Sequence, residues 1–309
     1  MKWRKLGRIF NIDNSNKTDC FKSHASVPIA DFLGKNKYKI YFSSRDSINR
    51  SSTGYYVMDI CNPFKIIECC EKPLIEPGNI GEFDDSGAMA SCILNYNNKK
   101  YMYYIGWNLG VTVPFRNSVG LAISEDEGKT FSKFSNGPII DRNYLEPHFC
   151  ASSCVIRDKE IFKIWYLSCI KWEKIQGMYK HYYHIKYAES DDGINWKRDG
   201  VVAIDFRDKY EYAISVPRVI KENGIYKMWF SSRASKGAET YRIRYAESED
   251  GISWIRKDEE VGIDVSNNGW DSEMICYPYI FDHKGIRYML YNGNGYGNTG
   301  IGLAVLEDD

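Results

Sequence analysis

I-K-Y-A-E-S-D-D-G-I-N-W occupies residues 185–196, and I-R-Y-A-E-S-E-D-G-I-S-W occupies residues 243–254. Two near-identical dodecamers in one chain mark an internal repeat, and a repeat decides the fold before any other feature does. A looser copy, V-G-L-A-I-S-E-D-E-G-K-T-F, lies at 119–131, and a truncated one, I-G-L-A-V-L, at 301–306. Each full copy is an alternating strand that runs into a turn. Asp caps the turn, Gly takes a positive φ, and the terminal aromatic folds back onto the sheet. The motif describes how a sheet is built and carries no reaction.

Upstream of each copy lies a strand with an aromatic centre: Tyr38–Ser43, Tyr101–Tyr104, Phe162–Tyr166, Tyr226–Phe230 and Arg287–Tyr291. With Tyr41, Tyr103, Trp165, Trp229 and Tyr291 taken as equivalent, the steps are 62, 62, 64 and 62 residues. A further apolar strand precedes each: Ala25–Ala30, Ala88–Leu94, Ala151–Ile156, Ile214–Ile220 and Met274–Phe281. Hairpin residues separate the two, as in Asn97-Asn98, Asp158-Lys159, Glu222-Asn223-Gly224 and Asp282–Gly285. No long stretch holds a 3.6-residue period. The expected fold is therefore all-β: a single domain over 1–309, built as a five-bladed β-propeller of four-stranded antiparallel blades. The stretch Trp3–Phe10 is expected to supply the outer strand of the last blade.

Composition narrows the function. Among 309 residues, 41 basic and 41 acidic side chains cancel, so no nucleic-acid or membrane-surface footprint is expected. Nine scattered cysteines without a C-x-x-C pair read as reduced thiols in a cytoplasmic protein, not as a disulfide framework or a zinc site. No apolar segment follows the basic residues at the start, so neither a signal peptide nor a membrane span is expected. Aromatics reach 15%, with 24 Tyr and 8 Trp. Most of them suit sheet packing. A few in loops would suit stacking on sugar rings.

In a propeller, the starts of the innermost strands and the loops after the second strands share one end of the central funnel. Loops 108–117 and 171–183 are the long ones and are expected there. The strand starts carry Lys22-Ser23-His24, Asp84-Asp85-Ser86, Glu146-Pro147-His148, Glu211-Tyr212 and Asp271-Ser272-Glu273. Any one of these acids would serve to cap a strand end. As a set they point to a site, because carboxylates converging on an axis repel, and a pair with separated proton affinities is what glycosidic cleavage needs. Arg45 and Arg233 end the second strands of the first and fourth units in the same phrase, F-S-S-R. They suit a carboxylate or phosphate on a ligand, or equally a pairing with the acids. Trp107 is a stacking platform, and His24, His148 and Asp271 complete the candidate binding residues. No metal is expected, although His24 and His148 with Asp84 or Glu146 form a lesser alternative.

The two dodecamers, the acids at the strand starts and the aromatic second strands resemble the five-bladed propeller glycosidases, glycoside hydrolase families 43, 32, 68 and 130, over essentially the whole chain. The S-E-D-E-G-K-T-F copy is similar to the Asp box of six-bladed sialidases. The resemblance implies a carbohydrate-active enzyme that cleaves or transfers a glycosidic or activated-sugar bond. It implies Glu146 or Glu211 as proton donor and Asp84 or Asp85 as base or modulator, with Glu273 a further acid. The chain departs from the families where they carry an Asp in the first blade. Ser23-His24 stands there, with Asp19 a few residues upstream. Two alternatives follow. One is a phosphorylase-like enzyme holding inorganic phosphate on Arg45, Arg233 or Lys22. The other is a sugar-binding propeller without catalysis. The partner expected in every case is a carbohydrate or sugar nucleotide, with no cofactor.

Overall fold

A computed structural model describes residues 1–14, 18–234 and 238–307. Its regular secondary structure is nearly all strand. Strand β1 (Trp3–Phe10) comes first. Then follow β2 (Ser23–Gly34), β3 (Lys37–Arg45), β4 (Ser51–Asp59) and β5 (Asn62–Cys69). The second group is β6 (Gly87–Tyr96), β7 (Lys99–Leu109), β8 (Phe115–Ser124) and β9 (Ser132–Lys133). The third is β10 (Cys150–Asp158), β11 (Ile161–Ile175), β12 (Met178–Ser190) and β13 (Val202–Ile204). The fourth is β14 (Ala213–Glu222), β15 (Ile225–Arg233), β16 (Arg242–Ser248) and β17 (Ile255–Arg256). The chain closes with β18 (Cys276–His283), β19 (Ile286–Asn292) and β20 (Ile301–Leu306).

Hydrogen bonding groups these strands into three sheets, one of four strands and two of eight. Each eight-stranded sheet is two antiparallel quartets joined by one parallel pairing, Ser51 with Gly87 in one and Tyr183 with Ala213 in the other. The four-stranded sheet runs β1-β20-β19-β18, so Trp3–Phe10 pairs with Ile301–Leu306 from nearly the other end of the sequence. Every strand group expected from the repeat is present. The hairpin turns have the left-handed residues that two-residue turns need, such as Asn97 and Asn98 at φ 49° and 58°.

Two readings of the sequence are corrected. Residues 171–183 form no loop: β11 and β12 continue through them as a long hairpin turning at Gln176-Gly177, with φ 50° and 83°. The repeat also slips by one residue at its end. Tyr103, Trp165 and Trp229 pair with Leu121, Tyr187 and Tyr245, and it is Leu290, paired with Leu303, that matches them. Tyr291 instead matches Tyr104, since each lies opposite a glycine, Gly302 and Gly120. A Cβ at Gly120 would stand 2.3 Å from the Tyr104 ring, so the tyrosine lies flat where only glycine leaves room.

The glycine turns after the third strands dock the second, third and fourth quartets, each on the one before it. Asp192 accepts the N–H groups of Ile194 and Asn195, which holds the turn, and Tyr103 of the preceding quartet donates to Gly193 O at 3.0 Å. Trp165 Nε1 donates to Gly251 O at 2.8 Å, and Lys39 Nζ to Gly128 O at 2.8 Å, in the same relation. Nearer the first strands, side chains bridge neighbouring quartets. Thr53 joins Ala88 O and Ala90 N, Ser91 takes the Ser153 N–H, and Ser152 takes the Val216 N–H. Ser231 takes the Tyr277 N–H, and Arg218 gives two bonds to Ile280 O. From the last quartet to the first, Asn292 Oδ1 accepts the Val27 N–H at 2.8 Å while its Nδ2 donates to Ala25 O and Gly300 O.

Asn292 is fully buried, so removing its amide orphans a buried N–H and a buried carbonyl at once. Asn292→Ala is expected to lower stability by at least about 3 kcal/mol. Urea unfolding checks this, and a loss near zero would mean that the bond between the first and last quartets is dispensable.

Candidate functional site

The first strands of three quartets carry the same interruption. Ser26-Val27-Pro28, Ser215-Val216-Pro217 and Cys276-Tyr277-Pro278 each sit at a register shift, with Val27, Val216 and Tyr277 at φ 53°, 48° and 56°. Proline has no N–H to lose to the ladder, and the residue before it finds its partner in a neighbouring quartet. A β-branched residue at positive φ is strained, and here it is held by those bonds. All three residues point into a central cavity.

That cavity has an outer chamber of about 470 Å³ and a deeper one of about 100 Å³. Val27 and Val216 line the deep chamber, and Tyr277 lines both. The walls are aromatic. The Trp107 ring lies 4.7 Å from Phe115, Phe115 lies 5.4 Å from His181, and His181 stacks on Tyr183 at 5.2 Å. The Tyr183 and Tyr241 hydroxyls share a hydrogen bond. Tyr296, at φ 60° and anchored through its carbonyl by Ser26 Oγ, sets its ring 6.0 Å from Tyr241.

Arg45 and Arg233 both line the outer chamber. Arg45 Nη1 donates to Asn49 Oδ1 at 3.2 Å, and Arg233 lies over the faces of Tyr212, Tyr241 and Tyr296 at 5.3, 5.2 and 5.7 Å. Among the described residues neither arginine has a carboxylate partner. A neutral histidine stands by each. Burial and then the Arg45 charge bring His24 down to about 4, and burial and then Arg233 do the same for His181. The His181 Nδ1 is buried without a hydrogen-bond partner.

The acids sit elsewhere. Asp84, Glu146, Glu211 and Asp271 line neither chamber. Each is buried within its own quartet and tied to a cation from that quartet's outer edge. Asp84 accepts from Tyr104 at 3.0 Å and pairs with Lys133 of β9 at 2.7 Å. Glu146 accepts from Tyr166 at 2.6 Å and lies 3.5 Å from Arg198. Glu211 accepts from Ser232 and takes Arg256 of β17 in two bonds, 2.6 and 3.0 Å. Asp271 accepts from Tyr291 at 3.1 Å and pairs with Lys5 of β1 at 2.7 Å. At the same spacing from Phe42 the first quartet carries Lys22 in place of an acid, and Phe21 beside it packs on Phe42 at 5.9 Å. The arrangement is a repeated latch between the approach to the first strand, the second strand and the outer strand.

The remaining candidates divide. Asp85 is bonded to Ser86, to Asn108 and to the Gly81 N–H. Glu273 is exposed, and Asp19 is exposed beside Lys22. His148 is half-buried, and His24 turns to Ser23 Oγ at 2.9 Å. The metal alternative is not met: among the described residues no three His, Cys, Asp or Glu side chains gather. Lining residues missed by the sequence reading are His181, Tyr183, Tyr241, Tyr277 and Tyr296. The repeated Ser-Val-Pro was the signal that would have led to the cavity floor. All nine cysteines are free, and no helix among the described residues is long and apolar enough to cross a membrane.

No family model matches the chain. Its fold is that of the propeller glycosidases. A glycoside hydrolase structure superposes with a TM-score of 0.76 at 18% identity, over 99% of this chain and 92% of that one. The β-1,2-mannobiose phosphorylase of Listeria innocua does so with 0.72 at 10% identity, over 99% and 97%. The uncharacterized protein Rv1502 of Mycobacterium tuberculosis is 42% identical over 308 residues, 100% of each chain, and this chain belongs to its family. A 1,2-β-oligomannan phosphorylase of Thermoanaerobacter sp. is 34% identical over 106 residues, 34% of this chain and 36% of that one.

Two expectations follow from the geometry. Glu211→Gln removes one of the two carboxylates that hold the buried Arg256, leaving Asp258 at 2.7 Å, and should cost about 1–3 kcal/mol in chemical unfolding. Full retention of stability would remove the latch role. His181 binds its proton more weakly folded than unfolded, so the unfolded state gains protons first as pH falls. Stability should therefore drop between about pH 6.5 and 4, by on the order of 2 kcal/mol for this partly exposed group. His181→Phe should flatten that part of the pH–stability curve.

Proposed function

We propose that the five antiparallel quartets are the blades of a five-bladed propeller forming one domain, and that its central cavity works on a carbohydrate together with an anionic group. The observation that carries this reading is the pair Arg45 and Arg233: two cations on one aromatic-walled cavity, with no carboxylate partner among the described residues. Guanidinium groups left free of acids suit phosphate or carboxylate oxygens, which they bind in a fork. Trp107 and Tyr296 offer faces for the C–H side of a sugar ring.

Phosphorolysis fits this lining better than hydrolysis by two protein carboxylates, since among the described residues no Asp or Glu lines either chamber. In that reaction a phosphate oxygen bonds to the anomeric carbon as the glycosidic bond breaks, and the leaving oxygen departs with a proton that phosphate brought. The names of the oligomannan and mannobiose phosphorylases support trying β-1,2-mannosides first. Hydrolysis by acids drawn from Asp84, Glu146 and Glu211 would require a latch to open, and Asp85 and Glu273, which belong to no latch, line neither chamber. Binding without catalysis is the remaining reading, with the same ligand class.

Incubation with β-1,2-mannobiose, with and without phosphate, separates these. Phosphate-dependent release of a sugar 1-phosphate is expected. Free sugar released without phosphate, and abolished in Glu146→Gln, would instead favour hydrolysis. Arg45→Met and Arg233→Met should each weaken phosphate or acidic-sugar binding about tenfold or more in calorimetry. Unchanged binding in both would overturn the anion site.

A further inference from the structure

Below the cavity floor, Val27 and Val216 also line a small closed space between the quartets, bounded by Cys92, Cys154, Arg218 and Tyr279. Cys92 belongs to β6 and Cys154 to β10, the first strands of adjacent quartets. The Cys92 sulfur accepts the Val155 N–H at 3.2 Å, a nitrogen two bonds from the Cys154 Cα. The Cys154 sulfur accepts the Val219 N–H of the next quartet at 3.3 Å. The two thiols thus lie side by side along one line of inter-quartet bonds. Arg218 has no carboxylate partner among the described residues. Its guanidinium stacks 4.0 Å over Tyr279 and faces Cys154. Arg218 and Tyr279 also line a wider cleft of about 600 Å³, so these two side chains stand between that cleft and the thiols.

We propose that Cys92 and Cys154 form a dithiol that a peroxide converts to a disulfide, with Cys154 the attacking sulfur and Cys92 the resolving one. The hydrogen bond from Cys92 and the Arg218 charge pull Cys154 below the ordinary thiol range against the effect of burial, while Cys92 is pushed up. The thiolate is the nucleophile, so the order of attack follows. The Cys154 sulfur bonds to one peroxide oxygen as the O–O bond breaks, and the other oxygen leaves as water, giving a sulfenic acid. The Cys92 sulfur then attacks the sulfenic sulfur, and its proton leaves with the hydroxyl as a second water. Two thiols lose two electrons and one peroxide gains them.

The test uses the folded wild-type protein, treated with hydrogen peroxide, alkylated after denaturation and mapped without reduction by mass spectrometry. The expected product is a Cys92–Cys154 cross-link, reversed by dithiothreitol, formed ahead of oxidation at the half-buried Cys20, Cys69 and Cys70. Cys92→Ser should leave a sulfenic acid at Cys154 that dimedone traps, and Arg218→Met should slow oxidation of Cys154 about tenfold. Recovery of Cys92 and Cys154 as free thiols while Cys69 and Cys70 oxidise would overturn the proposal.

Discussion

Neighbouring quartets in this protein are held by side chains that do the work of a missing ladder. Among the described residues, strand pairing between quartets is confined to single parallel contacts, Ser51 with Gly87 and Tyr183 with Ala213, with one isolated backbone bond from the Ile275 N–H to Tyr241 O. Elsewhere the bulged N–H groups of one inner strand face another quartet's side chains. A buried N–H without a partner costs about 1–3 kcal/mol, so each seam needs an acceptor. Thr53, Ser91, Ser152, Ser231 and Asn292 supply it. Their small size lets the strands approach closely, and their oxygens fix the height of each strand against the next. The cavity depends on that fixing, because its floor is made of residues whose backbone conformation survives only while those bonds hold.

The same logic separates structure from chemistry among the charged groups. Asp84, Glu146, Glu211 and Asp271 are each closed off by a hydroxyl and a cation, so their charge is spent inside a sheet. Arg45 and Arg233 have aromatic faces or an amide for company, and so keep their capacity for an anion. A cation over tyrosine rings retains its hydrogen-bond donors, since the ring face engages charge and leaves the N–H edge free. Neutral His24 and His181 beside them offer nitrogen lone pairs or N–H groups without adding charge.

The architecture was legible because its repeat is written in local chemistry. Asp-Gly turns, hairpin glycines and alternating strands each act over a few residues, and those survive in the sequence almost unaltered. Pairing of Trp3–Phe10 with the closing strands was legible too, from the strand the final unit lacked. The site was less legible. Acids at the strand starts stood out, but Lys133, Arg198, Arg256 and Lys5 lie far from them along the chain, so their pairing leaves no local mark. Tyr291 misled by one place because tyrosine occurs at both adjacent positions in the second unit. His181 and Tyr183 lie in what read as a loop, although the alternation through residues 171–183 was that of a hairpin.

The pairing of β1 with β20 has a consequence for biosynthesis. Residues Trp3–Phe10 leave the ribosome long before Ile301–Leu306 exist, so a strand with Ile9 and Phe10 among its apolar residues must wait without its ladder while the other quartets assemble. Until the two meet, both the opening strand and β20 expose unpaired edges, the kind of surface that recruits other chains. Trp3–Phe10 is therefore among the last stretches of this chain to gain its ladder. A fusion partner placed ahead of Trp3 would sit at that unfinished seam.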